Sequence, residues 1–402
     1  MQFITLGKSE LKSSRIGFGC WAIGGTDWGP VDDDESIRAI RRAMDLGVNF
    51  FDTADVYGDG HSEEILGRAL GGERKKVLVA TKFGGVREKG KAPRHDTSYG
   101  HVMEAIDASL GRLGTDHVDL YQVHVPDPAT PPSETMHALA ELVKKGKVRY
   151  VGLSNMDVRQ TAEYMKHGSI TTMQPGYSMI ERQPEKELFP FCVANKISVL
   201  AYSPMARGLL TGKYGRGSSF HPADVRQVDM EFRGKMFEMN LKCIEKLKPL
   251  AQGRTLGQLA VAWTLSHPAV SVALVGTKTV AQIEENAAAY DKPLSAEVLA
   301  GINKILDETQ AEKNTYRDNA IAFLRANPIV KIVSEQKGSA LLEDMVLWIM
   351  FLHGERGVGR DKLQSVFATA ILMKSKGTLG QEQCMEDLRA KLAAIHAEVE
   401  KA

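Results

Sequence analysis

Asp52, Tyr57, Lys82 and His124 are the residues of this sequence whose types and placement point most directly to chemistry. A free tyrosine ionises near a pKa of about 10 and is a weak acid at neutral pH. A nearby ammonium favours the tyrosinate and lowers that value, so Lys82 is expected to make Tyr57 a readier proton donor. Asp52 would hold Lys82 charged and in place. His124 could orient a carbonyl or share the proton transfer. Such a set can protonate a carbonyl oxygen while hydride arrives at the carbon. Taken singly, each residue has a plainer explanation. Asp52 could be a turn or cap residue, Lys82 a solvated lysine, His124 a satisfied core histidine, and Tyr57, before Gly58, a loop aromatic. Together they are four complementary groups at three consecutive strand ends, a pattern that chance explains poorly.

The elements that must position them are read from an alternation of short β-rich runs with amphipathic helical runs. The β-like runs are Ile16–Cys20, Asn49–Thr53, Val77–Phe83, Val118–His124, Val148–Ser154, Ile170–Pro175, Ile197–Ser203 and Val270–Gly276. Eight strands separated by helices indicate a parallel sheet, and eight is the number that closes a (β/α)8 TIM barrel. An open doubly wound sheet accommodates the same alternation with fewer strands. In a barrel, chemistry gathers at the C-terminal ends of the strands, where Asp52, Lys82 and His124 fall. Before the first strand, Gln2–Leu6 and Leu11–Ser14 flank Gly7-Lys8-Ser9 and read as a β-hairpin plugging one barrel end. The run LLTGKYGRGSSFHPADVRQ reads as a long loop, and such loops are usually functional. Helices are expected at about Arg233–Ala251, near Leu256–Ser266 and over Ala296–Glu308.

At 402 residues the chain exceeds the roughly 250 that a barrel needs. The expected organisation is a barrel over residues 1–315 and an all-helical C-terminal extension over 316–402. In the extension AIAFLRAN, ALLEDMVLWIMFLHG, DKLQSVFATAILMKSKG and CMEDLRAKLAAIHAEVEK read as helices. Their apolar faces need burial against one another, the barrel or a second copy, so a homo-oligomer through these helices is one expectation. Lys plus Arg number 51 against 50 for Asp plus Glu, which leaves no basic field for nucleic acid. The longest apolar stretch, around Met345–Leu352, is too short for a membrane span of about 20 residues. Cys20, Cys192, Cys243 and Cys384 fit no zinc pattern, and no metal site is expected. No signal peptide is evident, so free thiols in the cytoplasm are the simplest expectation.

Several longer segments carry a resemblance. FDTADVYGDGHSEEILGRAL (Phe51–Leu70), ATKFG (Ala80–Gly84), DLYQVHVPDP (Asp119–Pro128), VGLSN (Val151–Asn155) and AYSPMARGLLTGKY (Ala201–Tyr214) resemble the aldo-keto reductase signatures, in family order. The resemblance spans roughly Gln2 to Asp307 and leans toward the bacterial inositol-operon-type and potassium-channel β-subunit branch. It implies a catalytic tetrad of Asp52, Tyr57, Lys82 and His124, the set already picked from the strand ends. No G-x-G-x-x-G opens a helix after a strand, so no Rossmann fingerprint is present. The resemblance implies instead a nicotinamide dinucleotide extended across the barrel rim.

By that resemblance Ser154, Asn155 and Gln174 hold the nicotinamide carboxamide and Tyr202 stacks on the ring. The loop Ser203–Lys213, with Pro204, Gly208, Leu209 and Lys213, wraps the pyrophosphate. Gly276, Thr277, Lys278, Thr279 and Gln282 face the phosphate end, Glu285 and Asn286 the adenine, and Gly19, Trp21 and Asp52 complete the cofactor contacts. Lys278 at a helix start beside the Thr279 hydroxyl suits a 2′-phosphate, favouring NADPH (NADP+) over NADH, although a solvated lysine is the plainer explanation. The family often has an arginine in this neighbourhood. The expected substrate is a small-molecule carbonyl lined by Trp21, Trp28, Tyr57, His124 and Val125, the tryptophans being equally explicable as packing residues. The implied reaction is reversible hydride transfer to an aldehyde or ketone with Tyr57 as general acid. The alternative is an NADP(H)-binding redox sensor or scaffold with slow turnover and the helical tail as its partner surface. An aldolase using Lys82 as a Schiff base leaves Tyr57, Ser154, Asn155 and the late Gly276–Lys278 loop without a purpose.

Overall fold

The computed structural model describes residues 1–87, 94–227 and 229–326, together with 386, 387, 390 and 391. Two short strands open the chain, β1 (Phe3–Thr5) and β2 (Lys12–Ser14), paired antiparallel. Eight parallel strands then close a barrel: β3 (Ile16–Gly19), β4 (Phe50–Asp52), β5 (Leu78–Phe83), β8 (Val118–Val123), β9 (Val148–Ser154), β10 (Thr172–Gln174), β11 (Ser198–Tyr202) and β12 (Val270–Gly276). The two remaining strands, β6 (Gly85–Val86) and β7 (Arg94–His95), form a small hairpin after β5. All eight runs expected from the sequence are barrel strands. Their β-branched and aromatic content suits a sheet covered on both faces.

The intervening helices are α1 (Asp33–Asp45), α2 (His61–Leu70), α3 (Tyr99–Leu113), α4 (Pro132–Lys144), α5 (Val158–Met165), α6 (Leu188–Asn195), α7 (Gly234–Leu247), α8 (Leu256–Ser266), α9 (Val280–Ala287) and α10 (Ala296–Ala326). Local sequence fixes many of their starts. Asp32 accepts from the Glu35 amide, and Asp157 with Gln160 and Thr255 with Gln258 form capping boxes. Thr279 caps α9 through the Gln282 amide.

The hairpin plug is where the sequence placed it. Leu6 and Leu11 are buried against Phe50, Leu78, Ala80, Leu120, Leu200, Val272 and Leu274. That apolar layer closes the N-terminal end of the barrel and leaves the opposite rim for chemistry. Strand register brings the rim residues level. Gly19 is paired with both Gly276 and Asp52, Lys82 with Gln122, and Gln174 with Ser154.

The chain divides into two compact units, Met1–Gln227 with Leu247–Ile302 and Val228–Lys246 with Asn303–Ala402. The first holds the whole barrel. Within the second, Lys313 Nζ reaches Glu231 Oε2 at 2.7 Å, and Asn240 Nδ2 donates to the same oxygen at 2.6 Å. One expectation is corrected: the helix from Ala296 does not stop at Glu308 but continues to Ala326. The residues between contain no Gly or Pro to end it, and residues 320–326 of AIAFLRAN, expected as a separate helix, supply its last turns. The three later expected helices lie outside the described residues, apart from residues 386, 387, 390 and 391, which are helical. Among the described residues no helix is long and apolar enough to cross a membrane, and no cluster of metal-binding side chains occurs. Cys20, Cys192 and Cys243 are free and buried, and Cys384 lies outside the described residues.

Candidate active site

Lys82, near the end of β5, is fully buried, and its ammonium makes three hydrogen bonds. Nζ donates to Asp52 Oδ1 at 2.5 Å, to the Thr53 carbonyl at 2.8 Å and to Tyr57 Oη at 3.2 Å. An ammonium has three N–H groups, and all three are used. Asp52 is equally well provided. Its Oδ2 accepts from Gln174 Nε2 at 2.8 Å and from Gln122 Nε2 at 3.0 Å, while Gln174 Nε2 also donates to Gln122 Oε1 at 3.1 Å. Such complete satisfaction is what makes a buried ion pair tolerable; removing one partner of such a pair typically costs about 3–5 kcal/mol.

The acidity of Tyr57 differs from the sequence expectation. Burial outweighs the attraction of Lys82, with Asp52 adding to it, and the phenol is pushed up to about 12. Tyr57 is therefore a neutral hydroxyl with an ammonium at its oxygen. Burial opposes the charge on Lys82 too, but Asp52 and Tyr57 together overcome it and hold the lysine above its ordinary value. His124, just beyond β8, is anchored by its amide to the Phe83 carbonyl at 2.9 Å. Its ring stands edge-on to Tyr57, with centroids 5.7 Å apart. Burial, then Lys82, Arg87 and His95, hold its pKa well below the usual histidine range, so the imidazole is neutral at pH 7.

An aromatic wall faces the tyrosine. Trp21, in the short helical turn Cys20–Gly24, stacks on Tyr57 with centroids 6.1 Å apart, and Trp28 meets Trp21 edge-on at 5.1 Å. Trp21 Nε1 donates to Asp27 Oδ2 at 3.0 Å, which Arg87 Nη2 also approaches at 3.4 Å. Besides that ring contact, this wall meets the tyrosine turn backbone to backbone. Gly58 has φ of 63°, and a Cβ built on it would lie 2.1 Å from the Gly24 carbonyl oxygen. Only glycine permits that approach. Val125 follows His124 on the same rim, half-buried.

The residues expected around the cofactor also collect on this rim, several already engaged with one another. Ser154 Oγ donates to the Gln174 carbonyl at 2.9 Å. Asn155, with φ of 57°, donates to the His124 carbonyl at 2.9 Å and accepts the Tyr202 hydroxyl at 2.9 Å. Both N–H groups of the Gln174 amide are directed at Asp52 and Gln122, so Oε1 is the atom it has to offer a ligand. Ser203 and Gly208 have positive φ, which curls Ser203–Lys213 tightly past Pro204 and buried Leu209. Lys213 Nζ sits over the Tyr214 ring at 5.1 Å. At the end of β12, a Cβ on Gly276 would meet nothing within 4 Å, so the backbone there is open to approach. Lys278 N donates to Gln282 Oε1 at 2.8 Å, and Lys278 Nζ to the Trp28 carbonyl at 2.8 Å. Asn286 is buried and donates to Thr277 Oγ1 at 3.3 Å, while Glu285 accepts from Thr255 Oγ1 at 2.5 Å.

A model of the aldo/keto reductase family matches residues 15–307. The chain is 38% identical over 314 residues to the aldo-keto reductase YhdN of Bacillus subtilis, an alignment covering 77% of this chain and 95% of that protein. The chain belongs to the aldo/keto reductase family. It is also 36% identical over 312 residues to the NADH-specific methylglyoxal reductase of Escherichia coli, covering 73% of this chain and 95% of that one. Among solved structures, the glycerol dehydrogenase AKR11B4 of Gluconobacter oxydans is similar at a TM-score of 0.71 and 36% identity, over 76% of this chain and 95% of that chain.

Aldo/keto reductases are oxidoreductases that act on carbonyl groups with nicotinamide cofactors, and this member has a rim whose chemistry suits a dinucleotide. Lys213, Arg226 and Lys278 lie close enough that burial, then Arg226 and Lys213, depress Lys278 despite Asp224. Phosphates would relieve that repulsion. Arg226 was not singled out in the sequence. It pairs with Asp224 at 2.5 Å and Tyr214, and lies over the rings of Trp28, Tyr214 and Phe220. Gln122 and Asp27 were missed as well. Gln122 could have been found, since it shares the inward strand face of Leu120, where a polar side chain needs a partner. No local signal marks Arg226 or Asp27.

Proposed function

We propose that this aldo/keto reductase catalyses the reversible, NADPH-dependent reduction of an aldehyde or ketone, with Tyr57 as general acid. The observation that carries the reading is one buried ammonium, Lys82, shared between Asp52 and Tyr57. When bound, the cofactor supplies the hydride. Tyr57, kept protonated by burial, gives its proton to the substrate oxygen as negative charge develops there. Lys82, 3.2 Å away, stabilises the phenolate left behind, and Asp52 keeps Lys82 charged. Neutral His124 offers an N–H to the carbonyl oxygen and fixes its approach. Trp21 and Trp28 line the substrate side.

For the cofactor, Ser154, Asn155 and Gln174 Oε1 would take the carboxamide, Tyr202 the ring face, and Ser203–Lys213 with Gly276–Gln282 the phosphates. Preference for NADPH rests on Lys278 and the Thr279 hydroxyl at the start of α9, with Lys213 and Arg226 adding positive charge. The substrate is a small carbonyl compound, and the buried free thiols fit a cytoplasmic setting. A barrel over 1–315 with a helical extension over 316–402, whose apolar segments serve self-association, is the organisation we favour.

The test is Tyr57→Phe. Loss of the general acid removes about 10²- to 10⁴-fold in turnover, while NADPH binding, followed by its fluorescence, is retained. Unchanged reduction of 4-nitrobenzaldehyde by the variant would sink the assignment.

A further inference from the structure

The short bond that ties Trp28 to the barrel comes from the far end of the sequence. Lys278, half-buried between β12 and α9, donates from Nζ to the Trp28 carbonyl at 2.8 Å, across 250 residues of chain. The bond is charge-assisted and so among the stronger kind. The other contacts of Trp28 are looser or local. Its amide reaches the Gly25 carbonyl, within the same turn, at 3.4 Å. Its ring meets Trp21 edge-on, and the Arg226 guanidinium lies 5.0 Å from its centre. The indole Nε1 is sealed from solvent without a hydrogen-bond partner, so it gives no anchor. The neighbouring Asp27 carbonyl takes the Val225 amide at 3.0 Å, from the segment between β11 and α7.

The main chain of Lys278 is itself well held. Thr279 caps α9 through the Gln282 amide, and the Lys278 amide donates to Gln282 Oε1 at 2.8 Å. Its side chain is a flexible stem ending in an ammonium with three N–H groups, of which the Trp28 carbonyl takes one. Arg226 and Lys213 are the like charges that press on this ammonium, and Asp224 is the carboxylate that draws on it. A phosphate here would attract the lysines and the arginine together. It would take N–H groups that Trp28 leaves over, without displacing the carbonyl. An ammonium anchored in that way gives up its rotational freedom once, and the bond to Trp28 then costs less further ordering.

We propose that Lys278 is a positioning residue for the carbonyl pocket, acting through Trp28. A 2′-phosphate fixes its ammonium, and the ammonium fixes the wall that Trp28 forms with Trp21, which stacks on Tyr57. The fit of the carbonyl therefore depends on which nicotinamide cofactor is bound, although both carry the same nicotinamide. The coupling is reciprocal, so a carbonyl that packs on Trp28 tightens NADPH more than NADH. The proposal rests on the carbonyl-reductase reading given above, with Trp28 on the substrate side and Lys278 at the 2′-phosphate.

Fluorotryptophan labelling of the full chain gives Trp28 its own fluorine resonance, identified by its loss in Trp28→Phe. Adenosine 2′,5′-bisphosphate and adenosine 5′-monophosphate, which differ only in the 2′-phosphate, are each added to saturation, with binding followed by calorimetry. The bisphosphate should shift the Trp28 resonance and the monophosphate should not. Lys278→Met should abolish that shift and Lys278→Arg restore it. In turnover, the wild-type KM for 4-nitrobenzaldehyde should be about fivefold lower with NADPH than with NADH, the lower end of coupling between sites. That difference should vanish in Lys278→Met and return in Lys278→Arg. A lysine that merely holds phosphate would change KM for the cofactor and leave KM for the carbonyl alone. Saturating bisphosphate without a Trp28 shift, a shift that survives Lys278→Met, or equal carbonyl KM with both cofactors overturns the proposal. So does a bisphosphate that binds no more tightly than the monophosphate, because Lys278 then holds no 2′-phosphate. Should a variant not fold, the two wild-type KM values decide. A protein that shows the Lys278-dependent shift but reduces no carbonyl overturns the functional reading and leaves the link from phosphate to Trp28 standing.

Discussion

Gln174 donates its side-chain amide to Asp52 Oδ2 at 2.8 Å, joining β10 to β4 across the barrel interior. The contact makes a residue of the expected nicotinamide site part of the support for the catalytic ion pair. Gln174→Leu is expected to lower stability to urea by about 1–3 kcal/mol, the cost of leaving a buried acceptor short of a donor. Turnover should fall along with it, because Asp52 then relies on Gln122 alone at that oxygen. Parallel urea melts and kcat measurements check this, and unchanged stability would show that Gln122 suffices.

Lys278 is expected to separate the two nicotinamide cofactors. A charge-assisted hydrogen bond is worth about 1.5–3 kcal/mol, so Lys278→Ala should raise KM for NADPH roughly 10- to 100-fold. KM for NADH should barely change, since that cofactor lacks the 2′-phosphate. Side-by-side titrations measure the ratio. Equal losses for both would move the lysine to the shared pyrophosphate.

Half-buried His124 gives a stability signature with a definite sign. Its pKa is held well below 6.5 in the folded chain, so near pH 6 the unfolded chain binds more protons. Its contribution is complete above pH 6.5 and is lost as pH falls from there toward the folded value, with a limiting slope of about 1.4 kcal/mol per pH unit. His124→Asn should therefore lose less stability than wild type between about pH 7 and 5. Thermal melts across that range report the difference directly.

Much of this was legible in the sequence, for reasons that differ by element. The barrel strands showed because runs such as VLVATKF and VSVALVG are apolar on both faces. Asp52, Lys82 and His124 showed because polar residues at the ends of apolar strands are conspicuous. The sign of the Tyr57 shift was not legible, because it depends on burial weighed against Lys82 and burial follows from packing. Arg226 and Asp27 were hidden in loops, where charge is ordinary. The end of α10 is not legible because the apolar pattern weakens at Glu308 while nothing there breaks the helix.

The Gly24–Gly58 contact has a consequence for how this enzyme can diversify. The tryptophan turn and the tyrosine turn pack backbone on backbone at Gly24 and Gly58, so a side chain at either glycine would push the wall of the pocket away from the proton donor. Exchanging Trp21 or Trp28 can therefore reshape what the pocket admits while the backbone spacing of the two turns is kept. New substrates can be tried without dismantling the chemistry, provided the two glycines are left alone.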